Sequence, residues 1–196
     1  MGRDDMKIHD EGSLIHAFIG RRGTGKTTRM KKVSTQFLRS GGRVLVIPSS
    51  PYEPTFKSMP RIKLEQISSL RGVAAIDCKT VKQFGRILNH CDDLMIIADD
   101  MKSYMPEGRM DGDVRQALIS SRHRNVQLLF AVHGWTQIPP DFMSYIDVVW
   151  LHGTTDSLAR HREKFRDVRA MEEGQDRVNK KAQEDPYCCE IINNQV

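Results

Sequence analysis

The stretch that decides the fold reads Gly20-Arg21-Arg22-Gly23-Thr24-Gly25-Lys26-Thr27-Thr28. It satisfies the pattern G-x-x-x-x-G-K-[ST] at every required position. The apolar run Leu14-Ile15-His16-Ala17-Phe18-Ile19 precedes it, and Met30, Val33 and Phe37 follow at the spacing of one helical face. A loop that wraps phosphate with backbone N–H groups must keep side chains out of the way, and Gly20, Gly23 and Gly25 do so. A helix starting near Lys26 aims its unpaired N–H groups at the same point. Lys26 is then expected to reach the β- and γ-oxygens of a triphosphate, and the Thr27 hydroxyl to ligate Mg²⁺. Arg21, Arg22, Thr24 and Thr28 complete the phosphate-binding stretch.

Working outward, the helix is expected to run to Arg39, where Ser40-Gly41-Gly42 stops it, and Arg43 to Pro48 reads as a buried strand. Residues 49–60, rich in Pro, Ser and Tyr, read as a surface excursion. A short strand over 74–77 and a helix from Val81 to near His90 follow. Leu94-Met95-Ile96-Ile97-Ala98-Asp99-Asp100 is the second chemical element: a buried strand whose carboxyl end carries two acids. Ligands of doubly wound sheets gather at that end. This fits a Walker B motif, with Asp99 in the Mg²⁺ shell and Asp100 orienting or deprotonating the attacking water.

A helix from Asp113 ends in Ser121-Arg122-His123-Arg124-Asn125, and Val126 to Val132 is a further buried strand ending at His133. A polar residue at this position senses the γ-phosphate in the additional-strand group of P-loop ATPases, and the alternative for His133 is a simple strand-end turn. Pro139-Pro140 opens a short helical segment, Asp141 to Tyr145, and 147–151 is the last clear strand. Ser157 to Met171 reads as a basic helix, and beyond Gly174 the chain reads as a polar tail. The run Tyr187 to Ile192 is placed as an edge strand or a packing surface. The expected division is a flexible segment 1–12, an ATPase core 13–156 and a basic helix with tail 157–196.

Of the 196 residues, 39% are hydrophobic and 28% charged, enough for one sizeable globular core. No apolar run approaches a membrane span, and the first residues form no apolar signal segment, so a cytoplasmic setting is expected. Cys78, Cys91, Cys188 and Cys189 lack metal-ligand spacing and read as reduced thiols. The net charge of +5 permits a polyanionic partner without requiring one.

Gly20 to Thr28, the Asp99-Asp100 strand, Ser121-Arg122-His123-Arg124 and the strand ending at His133 together resemble the FtsK–HerA superfamily of DNA-translocating ATPases. Within it, the compact size is similar to the genome-packaging ATPases of tailless, internal-membrane viruses and to the ATPase part of Zot-like filamentous-phage assembly proteins. The resemblance implies an α/β, RecA-like P-loop NTPase core of the additional-strand type, with a central, mostly parallel sheet flanked by helices. It also implies ATP and Mg²⁺ as ligands and a homo-oligomeric ring, a hexamer, with nucleotide between subunits. Arg122 or Arg124 would then serve as a finger reaching the neighbour's γ-phosphate. The implied partners are double-stranded DNA, gripped without sequence preference, and capsid or portal-vertex proteins, in host cytoplasm or with the virion. Arg160, Arg162, Lys164, Arg166 and the loop Lys102 to Arg109 are the candidates for the DNA grip. Two positions depart from the family: Asp100 stands where Glu is usual, and His133 where an amide is common.

Two other functions compete. A small-molecule kinase shares the loop but needs an acceptor site and an arginine-rich lid. A Zot-like export ATPase handles protein but carries a membrane segment. A GTPase is disfavoured, because Asn179-Lys180-Lys181-Ala182 lacks the acid that reads guanine.

Overall fold

The computed structural model describes residues 13–105 and 110–194; the segment 1–12, expected to be flexible, and the last four residues of the loop ending at 109 lie outside the described residues. Strand β1 (Ile15–Ile19) enters the glycine loop and helix α1 (Lys26–Arg39) leaves it. There follow β2 (Val44–Ile47), β3 (Val73–Ala75), α2 (Val81–Asn89), β4 (Leu94–Ala98), α3 (Gly112–Ser120), β5 (Val126–Val132), α4 (Pro140–Met143), β6 (Val148–His152), α5 (Val168–Lys181) and β7 (Cys189–Asn193). The seven strands form one sheet in the order β3-β2-β4-β5-β1-β6-β7. Every neighbouring pair is parallel except β6–β7, so the carboxyl ends of six strands share one edge. β5 lies between β1 and β4, which is the additional strand expected from the sequence.

The strands are apolar on both faces because both faces are covered. Phe18, Val44, Val46, Met95, Ile97, Leu129 and Ala131 pack on one side with Met30 and Val33 of α1. Their alternates Ala17, Ile19, Leu45, Ile47, Ile96, Ala98, Leu128 and Phe130 pack on the other with Phe84, Val114, Phe142 and Met171 of the later helices. The two-residue period of the strand thus splits the core into two layers.

The C-terminal reading requires correction. The basic helix expected over 157–171 is a short 3-10 turn, Ala159–Lys164, followed by α5, which passes through Gly174 to Lys181. Asp167 starts α5 by accepting a hydrogen bond from the Ala170 N–H at 2.8 Å. Gly174 does not end the helix. A Cβ there would stand 2.5 Å from Ile192 Cδ1, so the missing side chain lets β7 pack closely. Three basic side chains of this region pair with acids: Arg162 with Glu172 at 3.0 Å, Arg169 with Glu173 at 2.6 Å, and Arg177 with Glu190. Among the described residues no helix is long and apolar enough to cross a membrane.

Candidate nucleotide site

The glycine loop leaves the middle of the sheet, and its neighbours hold it. Gly20 N–H donates to Val132 O at the end of β5, and Arg21 N–H to Gly153 O just past β6. Gly25 caps α1 in the left-handed region at φ 85°, where a side chain is disfavoured. Thr24 Oγ1 closes the loop onto Arg21 O at 2.8 Å.

Lys26 lies along the inside of this loop, almost buried at 7% exposure. Its Nζ donates to Gly20 O at 2.6 Å and Arg21 O at 2.9 Å and stands 3.5 Å from His133 Nδ1. Burial lowers its pKa to about 8, against the opposing pull of Asp99 and Asp100. Thr27 Oγ1 donates to Asp99 Oδ1 at 3.0 Å. Burial raises the Asp99 pKa, the Thr27 hydrogen bond lowers it, and the charges of Glu53 and Asp100 raise it further. Glu53 is not a residue the sequence pointed to. It lies in the excursion after β2, accepts from Thr55 Oγ1 at 3.1 Å, and lines the same cavity.

Asp100 turns out of β4 in the left-handed region, φ 48° and ψ 67°. Its Oδ2 lies 3.8 Å from His133 Nε2, and its Oδ1 is buried with no hydrogen-bond partner. With Lys26 facing Nδ1, the proton of a neutral His133 ring sits on Nε2, toward Asp100. Burial and then the Lys26 charge lower the His133 pKa, which keeps that ring neutral near pH 7. The turn carrying His133 is anchored twice: its N–H donates to Gln137 Oε1 at 2.8 Å, and Thr136 binds Asp156 Oδ2 through N–H and Oγ1.

These groups surround one cavity of about 520 Å³, lined by Arg22, Gly23, Gly25, Lys26, Thr27 and Thr28 on the loop side. Ser49, Glu53, Asp99, Asp100, Ala131, Val132, His133 and Tyr187 line the remainder. Ser49 follows β2 at the carboxyl edge, so the position of that strand end was a usable signal. Glu53 and Tyr187 carry no local signal, because their place depends on how the chain returns to the sheet. The donor set suits Mg²⁺: one hydroxyl and one buried carboxylate, both hard oxygens, with further oxygens supplied by water and phosphate. Among the described residues no three carboxylate, imidazole or thiol groups converge to cage a metal on their own. Asp100 Oδ1 is a buried hydrogen-bond acceptor with no partner.

The two finger candidates lie elsewhere. Arg122 and Arg124 precede β5, at the amino end of the strands, opposite the glycine loop. Arg122 is exposed and its Nη2 pairs with Asp147 Oδ1 at 3.2 Å. The Arg124 guanidinium is engaged within its own chain: Nη1 donates to Leu88 O and Cys91 O at 2.8 and 2.7 Å, and Nη2 to Ala117 O at 3.1 Å. Lys164 and Arg166 line a second cavity of about 440 Å³ beside Arg122 and Asp147.

No protein-family model matches the chain, and comparison with curated protein sequences gives no match. Solved structures do match. The genome packaging NTPase B204 from Sulfolobus turreted icosahedral virus 2, in complex with AMPPCP, is 14% identical over 93% of each chain with a TM-score of 0.73. The DNA-packaging ATPase B204 from Sulfolobus turreted icosahedral virus is 14% identical over 92% of each chain, with a TM-score of 0.70. The flagellar accessory protein FlaH from Methanocaldococcus jannaschii is 11% identical over 71% of this chain and 70% of its own, with a TM-score of 0.50. At these identities the likeness is one of architecture, and the chain has the RecA-like P-loop NTPase fold that the glycine loop and the order of its strands demand.

Proposed function

We propose that the chain is an ATP-hydrolysing motor subunit that moves double-stranded DNA, as in filling a viral capsid with its genome. One observation carries the catalytic part: Lys26, the Thr27–Asp99 pair and the His133–Asp100 pair converge on a single cavity at the carboxyl edge of the sheet. In this reading the Gly20–Thr28 backbone and Lys26 bind the phosphates of ATP. Thr27 and Asp99 hold Mg²⁺, which when bound neutralises charge on the phosphate oxygens. Asp100 orients the attacking water and accepts its proton. His133, which stands beside both Lys26 and Asp100, senses the terminal phosphate. Arg21, Arg22, Thr24 and Thr28 complete the phosphate contacts.

The motor part is supported by the overall likeness to two packaging enzymes, each covered over more than nine-tenths of its length. It takes the form of a ring of six with a shared site, in which Arg122 reaches the neighbouring subunit's nucleotide. Arg124 is the weaker finger candidate, since its donors are already engaged. Lys164 and Arg166, which line the second cavity, are the candidates put forward for phosphate contacts with DNA. Capsid or portal proteins are the expected docking partners, in host cytoplasm or with the virion.

The test measures ATP turnover by the purified full chain with and without double-stranded DNA, with particle size recorded in the same buffer. Mg²⁺-dependent turnover that DNA stimulates, in a particle larger than one chain, is expected. Turnover indifferent to DNA overturns the motor and leaves the ATPase, and no turnover under either condition overturns both.

A further inference from the structure

The cavity has two flanks, and the roles above use only one. Sheet order puts β4 and β5 on one side of β1 and its glycine loop, and β6 and β7 on the other. Asp99, Asp100 and His133 follow β4 and β5, so a terminal phosphate lies toward that flank. Phosphates held along the loop then send the nucleoside end toward β6 and β7. Because β7 runs antiparallel, the chain enters it at the carboxyl edge of the parallel strands. Tyr187 occupies that entry and lines the cavity. It is one of three large apolar side chains that are exposed among the described residues, at 63%, and the other two, Tyr52 and Ile119, do not line the cavity. Its ring rests against the loop: a Cβ added at Gly25 would stand 3.2 Å from Tyr187 Cδ1. Its backbone is held by the turn after α5, with Tyr187 N–H donating to Asp185 Oδ1 at 2.9 Å and Cys188 N–H to Asp185 O at 3.1 Å. The residue is therefore held through its backbone while most of its surface stays exposed at the cavity.

We infer that Tyr187 is the platform on which the nucleobase of the bound nucleotide stacks, an inference that rests on the nucleotide reading of this cavity. Stacking uses the π face that every base presents, so it adds affinity without choosing among bases. Tyr187 therefore acts on ATP and GTP alike and has no hold on a bare phosphate chain.

Calorimetric titration of the full chain with Mg²⁺ and ATPγS, GTPγS or inorganic tripolyphosphate tests this in wild type, Tyr187→Ala and Tyr187→Phe. The alanine variant is expected to bind both nucleotides about tenfold more weakly, equivalent to about 1.4 kcal/mol. Its tripolyphosphate affinity stays within about twofold, and the phenylalanine variant recovers nucleotide affinity because it keeps the ring. Equal nucleotide affinity in wild type and Tyr187→Ala overturns the platform alone. An equal loss for nucleotides and tripolyphosphate in Tyr187→Ala also overturns it, since the ring would then only support Gly25. A wild-type chain that binds none of the three ligands overturns the nucleotide reading, and the platform with it.

Discussion

Asp100 occupies backbone space that non-glycine residues adopt at a cost of about 1 kcal/mol or more. The conformation aims one carboxylate oxygen toward His133 and buries the other without a partner. Asn tolerates the same backbone region, so Asp100→Asn isolates the chemistry. That variant should bind ATP within a few-fold of wild type and lose turnover by about a hundredfold or more, the usual worth of a general base. Turnover equal to wild type would move the base elsewhere, and Glu53 is the other carboxylate at hand. Lys26→Ala should lose both binding and turnover, because its buried ammonium is the cation that faces the phosphate position; equilibrium binding of a labelled nucleotide checks the first half. The identities of Lys26, Thr27, Asp99 and Asp100 were legible in the sequence because a loop motif and a strand-end pair are local patterns. The approach of His133 to both Lys26 and Asp100 was not, because residues 26, 100 and 133 meet only where three strands end together.

At the scale of elements, α2 and α3 pack side by side, and two residues control the contact. A Cβ added at Gly85 would stand 2.7 Å from Asp113 Cβ and 3.1 Å from the Val114 backbone nitrogen. Alanine is favoured over glycine in an isolated helix by about 1 kcal/mol, so the sign of Gly85→Ala is informative. Destabilisation of about 1–3 kcal/mol is expected in urea unfolding, since backbone cannot yield as a side chain does. A stabilised variant would mean that the helices lie farther apart. Arg124 ties the ends of the same two helices through their last carbonyls. Arg124→Ala should cost about 2–3 kcal/mol, and Arg124→Lys should recover little, because a lysine lacks the planar fork. Wild-type stability in Arg124→Ala would return this arginine to the list of fingers. Helix α5 shows where local reading fails: Gly174 has the look of a helix stop, but it marks the spot where Ile192 of β7 comes close.

For the whole molecule, acid stability follows from two buried histidines. Burial lowers the pKa of both His16 and His152 to about 4, with the Arg29 and Lys26 charges adding to the effect at His152. The unfolded chain takes up these protons from about pH 6.5 downward while the folded chain resists until about pH 4. Stability is therefore full above pH 6.5 and falls with acidification, by up to about 1.4 kcal/mol per pH unit for each ring. Asp99 works in the opposite sense, since its raised pKa lets the folded state bind a proton more readily. Urea midpoints at pH 7.0 and pH 5.5 should show the net loss, and a higher midpoint at pH 5.5 would contradict it. Assembly is tested separately. Mixing Arg122→Ala with Lys26→Ala should restore part of the turnover that each lacks, because one intact interface then contains both groups. No recovery would argue against a finger supplied in trans.

The amino-acid sequence by itself determined the phosphate loop, the acid-tipped strand and the parallel α/β pattern, since each is written in neighbouring residues or in a short period. It also determined the extra strand after α3, whose run of six apolar residues around Gln127 suits a sheet buried on both faces. Only the tertiary structure decided that Arg124 donates to the carbonyls at the ends of α2 and α3, that α5 runs through Gly174, and that Glu53 and Tyr187 line the cavity. Each of those depends on segments far apart in the chain meeting at one sheet edge or one helix contact, and no local preference encodes such a meeting.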